Sequence, residues 1–329
     1  MSVSGALKSM MSDVGKMTSQ QFQEQFDAMK VCLLLNVYQK GLFNKEKKEE
    51  VSAISQRLSK ERIEKLRRIE QEMITPQMKV LFTNMKLVDE EICHMKSPNA
   101  VEGIKKGLNC TTIETPLLSD SVRENLKKKQ NWVLFKQISS IPNAGNGIFV
   151  DGHINPGTIL GFFPGTVYLR QHLKNKAIRD ALTSVKSDYR YWYYDSSIVD
   201  SKDYFPINPL SLGHIVNHPP KDTQPNIMLC PYDIPAGMSE FAKYIPNQYI
   251  EKERFIDWVN NGHMITKSYI KTMVMIATQH IENSELFYDY CLPANARPSW
   301  YWEVDQSTKR KWDIEKKEVD TLLKEEHLE

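Results

Sequence analysis

Residues Ser211 to Leu229 read SLGHIVNHPPKDTQPNIML, and the organisation of the chain turns on what this stretch is. A strand-like opening leads to Asn217-His218, a loop holding Pro219, Pro220 and Pro225 follows, and Asn226 opens an apolar run. Two readings compete. The stretch is either a surface connection and nothing more, or a loop held in place because Asn217 and His218 meet a ligand.

Outward from it, glycine and proline divide the chain. Of 16 prolines only Pro76, Pro98 and Pro116 precede Pro142, and most of the 14 glycines fall between Gly145 and Gly262. These residues punctuate turns and strand ends, so the first 140 residues read as mostly helical and the remainder as β-rich. Thr18-Ser19-Gln20-Gln21 has the form of a capping box, and Phe22, Phe26, Met29, Leu33 and Val37 follow at helical spacing. A second helix is expected from Lys47 to Met73, with Glu61/Lys65 and Glu64/Arg68 as i,i+4 pairs. Thr75-Pro76 resembles an N-cap and first helical position, starting a third helix that stops near Ser97-Pro98. After Pro142, Gly147–Val150, Thr158–Phe163 and Lys271–Thr278 have the composition of strands.

Composition narrows the class. The 329 residues allow about two domains, and 41% hydrophobic residues suffice for a sizeable core. A net charge of +2 gives no global field toward nucleic acid or acidic lipid, so no direct nucleic-acid partner is expected. The five cysteines are scattered without a Cys-x-x-Cys pair, which argues against a zinc ribbon or a disulfide framework and suits a reducing compartment. No apolar run approaches the roughly 18 residues that span a bilayer, so no membrane partner is expected either. The location expected is intracellular, nuclear or cytoplasmic, with a mitochondrial destination left open by the Lys-, Ser- and Met-containing start.

Four stretches stand out in chain order: NAGNGIFV (Asn143–Val150), FFPGTVY (Phe162–Tyr168), GHIVNH with Pro225-Asn226, and SELFYDY (Ser284–Tyr290). Singly each has a plain explanation. Asn-Gly before Ile-Phe-Val is a hairpin signal, Pro164-Gly165 a turn, Asn217-His218 a loop cap, and Asp289-Tyr290 a strand end with a buried phenol.

Together, in this order and at these separations, they resemble the SET domain of protein lysine methyltransferases. The resemblance covers about residues 132–292. It rests on Gly145-Asn146-Gly147, Phe163-Pro164-Gly165, Asn217-His218…Pro225-Asn226, and Glu285-Leu286-Phe287-Tyr288-Asp289-Tyr290. It implies an α+β fold: a β-rich SET unit of small sheets with a pseudo-knot. The pseudo-knot would bring Asn217-His218 beside Asp289-Tyr290. The organisation expected is a flexible start (1–17), a helical domain (18–130), the SET unit (132–292, with an insert at about 233–267), and an aromatic segment with a charged C-terminal helix (293–329).

The implied chemistry is methyl transfer from S-adenosylmethionine to a lysine of a protein or peptide, a reaction that needs no metal. Free lysine has a pKa of about 10.4, so the site must desolvate the amine to make it a nucleophile. The resemblance makes Tyr290 the hydroxyl near the transferring methyl. It puts Tyr288 where Phe or Tyr sets how many methyls are added, here one or two. Gly145, Asn146 and Gly147 would line the donor's methionine part, Asn217 its amino-acid end, and His218 its adenine, mainly through backbone.

Departures from the family pattern keep a second reading open. PPKDTQ between His218 and Pro225 is longer than the family's spacer, and Pro219 lacks a backbone donor where adenine would sit. His214-Ile215 replaces an Arg-Phe, Asn283-Ser284 replaces a Gly-Glu, and no cysteine-rich zinc lid follows. Trp300, Tyr301 and Trp302 are the available substitute for that lid, or else they pack the C-terminal helix. The alternative is a SET-fold binding or scaffold module without turnover, with a protein partner through the helical half. A methyltransferase for a non-protein amine is a third reading.

Overall fold

A computed structural model describes residues 19–42, 47–95, 120–184, 190–192, 198–200, 208–249, 269–292, 297–302 and 304. The expected flexible start, the C-terminal helix, the helix stop at Ser97-Pro98 and the distal part of the insert lie outside the described residues.

The architecture is α+β. Among the described residues, helices α1 (Ser19–Gln39), α2 (Lys48–Leu58), α3 (Ile63–Met95) and α4 (Asp120–Gln130) precede ten short strands. The strands form three small sheets. In the first, β1 (Trp132–Ile138), β2 (Asn146–Ile154) and β10 (Ile281–Glu282) run antiparallel in that order. In the second, β9 (Tyr269–Ala277) is central, between β3 (Ile159–Phe163) and β7 (Ile227–Pro235), all antiparallel. Ile270 to Ala277 are buried without interruption, as a strand covered on both faces requires. The third sheet orders β5 (Arg190–Trp192), β6 (Ile198–Asp200), β4 (Gly165–Tyr168) and β8 (Asn247–Tyr249), with β4 and β8 parallel. Two short helices, α5 (Arg170–Leu173) and α6 (Lys176–Ser184), follow β4.

The helical half differs from the sequence expectation in one respect. The break falls at residues 59–62 and not at Thr75-Pro76, so α3 runs through Pro76 for 33 residues. Proline lacks the N–H that would reach the carbonyl of Glu72, which weakens the ladder at that turn. Thr75 is not an N-cap there; its hydroxyl donates back to the Gln71 carbonyl at 2.6 Å. Ile74 and Met78, both fully buried on either side of Pro76, hold the helix continuous by packing. At the actual break, Gln25 of α1 donates its amide to the Glu61 carbonyl, satisfying a group that a continuous helix would have paired internally. Lys65 meets Glu61 at 2.7 Å as expected, whereas Arg68 lies 3.8 Å from Glu72.

Val31 and Leu35 of α1 and Ile74, Met78, Leu81 and Phe82 of α3 belong to the same buried cluster as Ile148, Phe162 and Val274 of the sheets. One face of α1 and of α3 therefore belongs to the β-rich part's own core, while Met29, Cys32, Leu33, Ile54, Leu58 and Leu66 form a second cluster among the helices. Phe82 stacks on Phe162 at 5.5 Å and on Phe241 at 5.4 Å. Polar ties run alongside: Gln77 both donates to Gly157 O and accepts from Ile159 N, each at 3.0 Å. Thr75 Oγ1 lies 2.8 Å from Tyr232 Oη, and Asp233 N donates to Gln71 Oε1 at 2.9 Å.

The described part of the insert serves this same bracing. Its 3₁₀ segment Ala236–Tyr244 places Phe241 on Phe82, and Tyr244 donates its hydroxyl to Asp89 at 3.1 Å. Phe82→Ala should remove about 3–5 kcal/mol of stability. Far-UV and near-UV denaturant melts should shift together; a loss under about 1 kcal/mol, or helical and β signals that separate, would show the two halves do not share a core.

Candidate functional site

The opening stretch is held in place by the segment near the end of β10. After a 3₁₀ turn at Gly213–Ile215, Asn217 bridges Phe287 in parallel register, and Tyr288 N donates to Asn217 O at 3.1 Å. At the far end of the loop, Asn226 stitches the same partner strand. Its Nδ2 donates to Glu285 O at 2.7 Å, its Oδ1 accepts from Phe287 N at 2.8 Å, and its own N–H joins that of Ile227 on Phe287 O. An asparagine side chain carries one acceptor and two donor hydrogens, so it can imitate a backbone partner where the ladder ends. The loop is thus fixed at both ends, and Asn226 is a seam residue.

Beneath the crossing lies Glu285, only 4% exposed. Its Oε1 accepts from Ser139 Oγ at 2.7 Å and Asn217 Nδ2 at 3.1 Å; its Oε2 accepts from Ser140 N at 2.7 Å and Ser140 Oγ at 2.6 Å. A buried carboxylate is costly unless its lone pairs are met, and these donors meet them from two distant segments. The sequence names Glu285 as the first residue of the Glu285–Tyr290 motif but gives it no role of its own.

Glu285 also explains Gly147. A Cβ there would sit 2.0 Å from Glu285 Oε1 and 3.3 Å from Asn217 Nδ2. The close approach expected from a bound donor is made by the chain's own carboxylate. Gly145 has a different reason: its φ of +76° lies in the left-handed region, while a Cβ there would meet open space. Gly145 O accepts from Ser139 N at 2.9 Å, closing the β1–β2 connection. Asn146 contributes its carbonyl, which accepts the second hydrogen of the Asn217 amide at 3.0 Å.

His218 is a buried tie. Its Nδ1 accepts from Tyr290 N at 3.3 Å, which leaves Nε2 to carry the hydrogen toward Trp302 O at 2.7 Å. Its ring stacks on Tyr301 at 4.3 Å and 21°. Burial holds its pKa below the ordinary histidine value, opposed by the Trp302 carbonyl and the nearby Asp289 carboxylate. With both nitrogens engaged, the ring is not placed for proton transfer.

Aromatic rings close the site. Tyr290 donates its hydroxyl to Val216 O at 3.0 Å, one residue from Asn217. Tyr288 lies 4.9 Å from Tyr290 ring to ring, and Trp300 stands edge-on to Tyr290 at 6.4 Å while 63% exposed. Tyr301 donates to Asp289 Oδ1 at 2.9 Å; burial and that carboxylate push its phenol pKa well up. Arg297 lies over Tyr301 and Lys221 over Trp302. Asn146, Gly147, Asn217, His218, Tyr288 and Tyr290 therefore meet at one crossing, and Gly145 shapes the loop that enters it.

No family model and no curated protein sequence matches the chain. Among solved structures, it is similar to "ctPRC2 in an autoinhibited conformation bound to S-adenosylmethionine", at 16% identity and a TM-score of 0.30, over 51% of this chain and 16% of that one. It is also similar to "Apo ctPRC2 in an autoinhibited state", at 17% identity and a TM-score of 0.29, over 54% of this chain and 17% of that one. The chain thus spans about a sixth of those chains' length, and likenesses this slight carry nothing over to the site. Among the described residues no helix is long and apolar enough to cross a membrane.

His214, one turn before Asn217, supplies a test of how closed this region is. Burial, aided by the Lys136 charge, lowers its pKa to about 4. The unfolded chain, with histidine near 6.5, binds the proton first. The stabilisation is therefore complete above about pH 6.5 and is lost as pH falls toward 4. Urea midpoints should fall more steeply over that window in the wild type than in His214→Gln, by on the order of 2 kcal/mol at its acid end. Parallel pH profiles would show that His214 is open to water.

Proposed function

We propose that the chain is an S-adenosylmethionine-dependent protein lysine N-methyltransferase of the SET family, adding one or two methyl groups. The observation that carries the proposal is the meeting of Asn217, Tyr288 and Tyr290 at one fixed crossing. There Asn217 has both amide hydrogens engaged with Asn146 and Glu285. Among the described residues its Oδ1 is left as an acceptor, open to the donor's ammonium group. When bound, S-adenosylmethionine would supply a methyl carbon activated by its sulfonium.

The chain's residues do the rest. The faces of Tyr288 and Tyr290, with Trp300 beside them, offer an apolar wall that desolvates a lysine amine and favours its neutral form. That wall also orients the amine for in-line attack, which contributes several kcal/mol when well aligned. The new N–C bond would form as the C–S bond breaks, and the surplus proton on nitrogen leaves to water. Carbonyl oxygens at the crossing, Val216 O among them, can accept weak C–H contacts from a methyl. The Tyr288 hydroxyl takes room that a third methyl would need. The threading of residues 284–291 past the 216–226 loop as a pseudo-knot belongs to the same proposal. FFPGTVY, KYIPNQY (Lys243–Tyr249) and the helical first half resemble, within the family, SET domain-containing protein 9.

A specific observation favours a second reading, a binding module without turnover. Trp302 O and the Tyr301 ring already occupy His218, and Pro219 removes the donor that follows it. Calorimetry with S-adenosylmethionine separates the two: micromolar binding that weakens in Asn217→Ala supports the enzyme, and undetectable binding supports the module. Tyr290→Phe should slow methyl transfer by about a hundredfold or more while donor affinity stays within about threefold. Normal turnover by that variant would remove Tyr290 from the chemistry, and trimethylated product from the wild type would overturn the role given to Tyr288.

A further inference from the structure

Among the described residues, the Asn217 amide is bound on one edge only. Its Nδ2 sits 3.0 Å from Asn146 O and 3.1 Å from Glu285 Oε1. Both neighbours are acceptors, so exchanging the amide's N and O would set oxygen against two oxygens. The donor edge must face inward and Oδ1 outward. What holds this arrangement is the set of donors on Glu285: the hydroxyls of Ser139 and Ser140 and the backbone N–H of Ser140. Ser139 also accepts from Ile141 N at 3.0 Å, which fixes the turn that delivers Ser140.

We infer that Glu285, Ser139 and Ser140 are a positioning unit that orients Asn217 as a hydrogen-bond acceptor. The inference rests on the function proposed above, and deepens it: the position would select a ligand carrying a cationic N–H donor, the α-ammonium of the methyl donor. Glu285 itself lies under Gly147 and does not reach the ligand.

Replacing one oxygen tests this. In Glu285→Gln the Ser140 backbone N–H cannot turn into an acceptor, so the remaining Gln oxygen must face Ser140. The new NH₂ then faces Asn217 Nδ2, donor against donor, while Asn146 O still accepts from that nitrogen. Neither orientation of the Asn217 amide then satisfies both neighbours, so its acceptor edge is no longer fixed outward. A hydroxyl such as Ser139 can accept from that NH₂, so the fold has a way to persist. Adding Asn217→Asp to Glu285→Gln gives the inward NH₂ a partner and returns an acceptor to the outer edge, while setting an Asp oxygen against Asn146 O.

The experiment measures binding of S-adenosylhomocysteine and of 5′-methylthioadenosine, which lacks the amino-acid end, to the full chain and its variants. The Asn217 side-chain amide is followed by ¹⁵N NMR in the same samples. The wild type should bind S-adenosylhomocysteine more tightly than Glu285→Gln by about tenfold or more, the usual weight of one hydrogen bond to a charged group. Methylthioadenosine binding should move less than about twofold. The double variant should recover part of the loss, since its outer edge is again an acceptor although Asn146 O has lost its donor. Ser139→Ala with Ser140→Ala should lose part of the affinity and broaden the Asn217 amide signals.

Equal S-adenosylhomocysteine affinity in wild type and Glu285→Gln would overturn the inference, as would an Asn217 amide pair unchanged in that variant. No wild-type binding of S-adenosylhomocysteine would overturn the functional reading and the ligand named here. The amide signals would then decide the orientation of Asn217 independently.

Discussion

A carboxylate inside a protein must have its lone pairs met by donors, and that requirement at Glu285 organises the rest of the crossing. Donors reach it from the β1–β2 connection, 145 and 146 residues earlier, and from Asn217, 68 residues earlier. Meeting them sets the path of three backbone segments at once. Gly147 must be a glycine because the carboxylate occupies the space its side chain would take. Asn217 must present its donors inward because only acceptors face it. A polar group satisfied in this way specifies one arrangement, because each alternative leaves a buried donor or acceptor unpaired.

Such a site needs a rigid frame, and the long helix α3 supplies it. Phe82 stacks on rings from β3 and from the insert, and Gln77 clamps the entry to β3 at both its carbonyl and its N–H. β3, paired to β9, in turn meets the segment that precedes Asn217: Phe162 N donates to Leu210 O at 2.9 Å. The helical first half is thus tied mechanically to the crossing through one buried core. The C-terminal aromatics close the other side through His218, Tyr301 and Asp289.

What the sequence disclosed follows the range of each signal. The body of α1 and the strands β2, β3 and β9 were legible because helical spacing and β-branched runs act within a few residues. β7 was not, since Pro231 and Pro235 interrupt it; it tolerates them at the edge of its sheet, where one side of the strand needs no ladder partner. Thr75-Pro76 was misread because local propensity favoured a start where buried Ile74 and Met78 hold a continuous helix. In the site, the fourfold motif order placed Asn217 beside the 285–290 segment. The donors on Glu285 left no trace in any short window, because they arrive through folding alone.

The central claim is that residues 139–147, 213–218 and 285–291 form a single ligand-binding surface. Hydrogen–deuterium exchange of the full chain with and without S-adenosylhomocysteine tests it most directly. The account predicts that ligand slows exchange in all three segments together, with Ser140 and Tyr288 amides among those protected. Protection confined to another region, or exchange in these segments that ignores the ligand at saturating concentration, would contradict it.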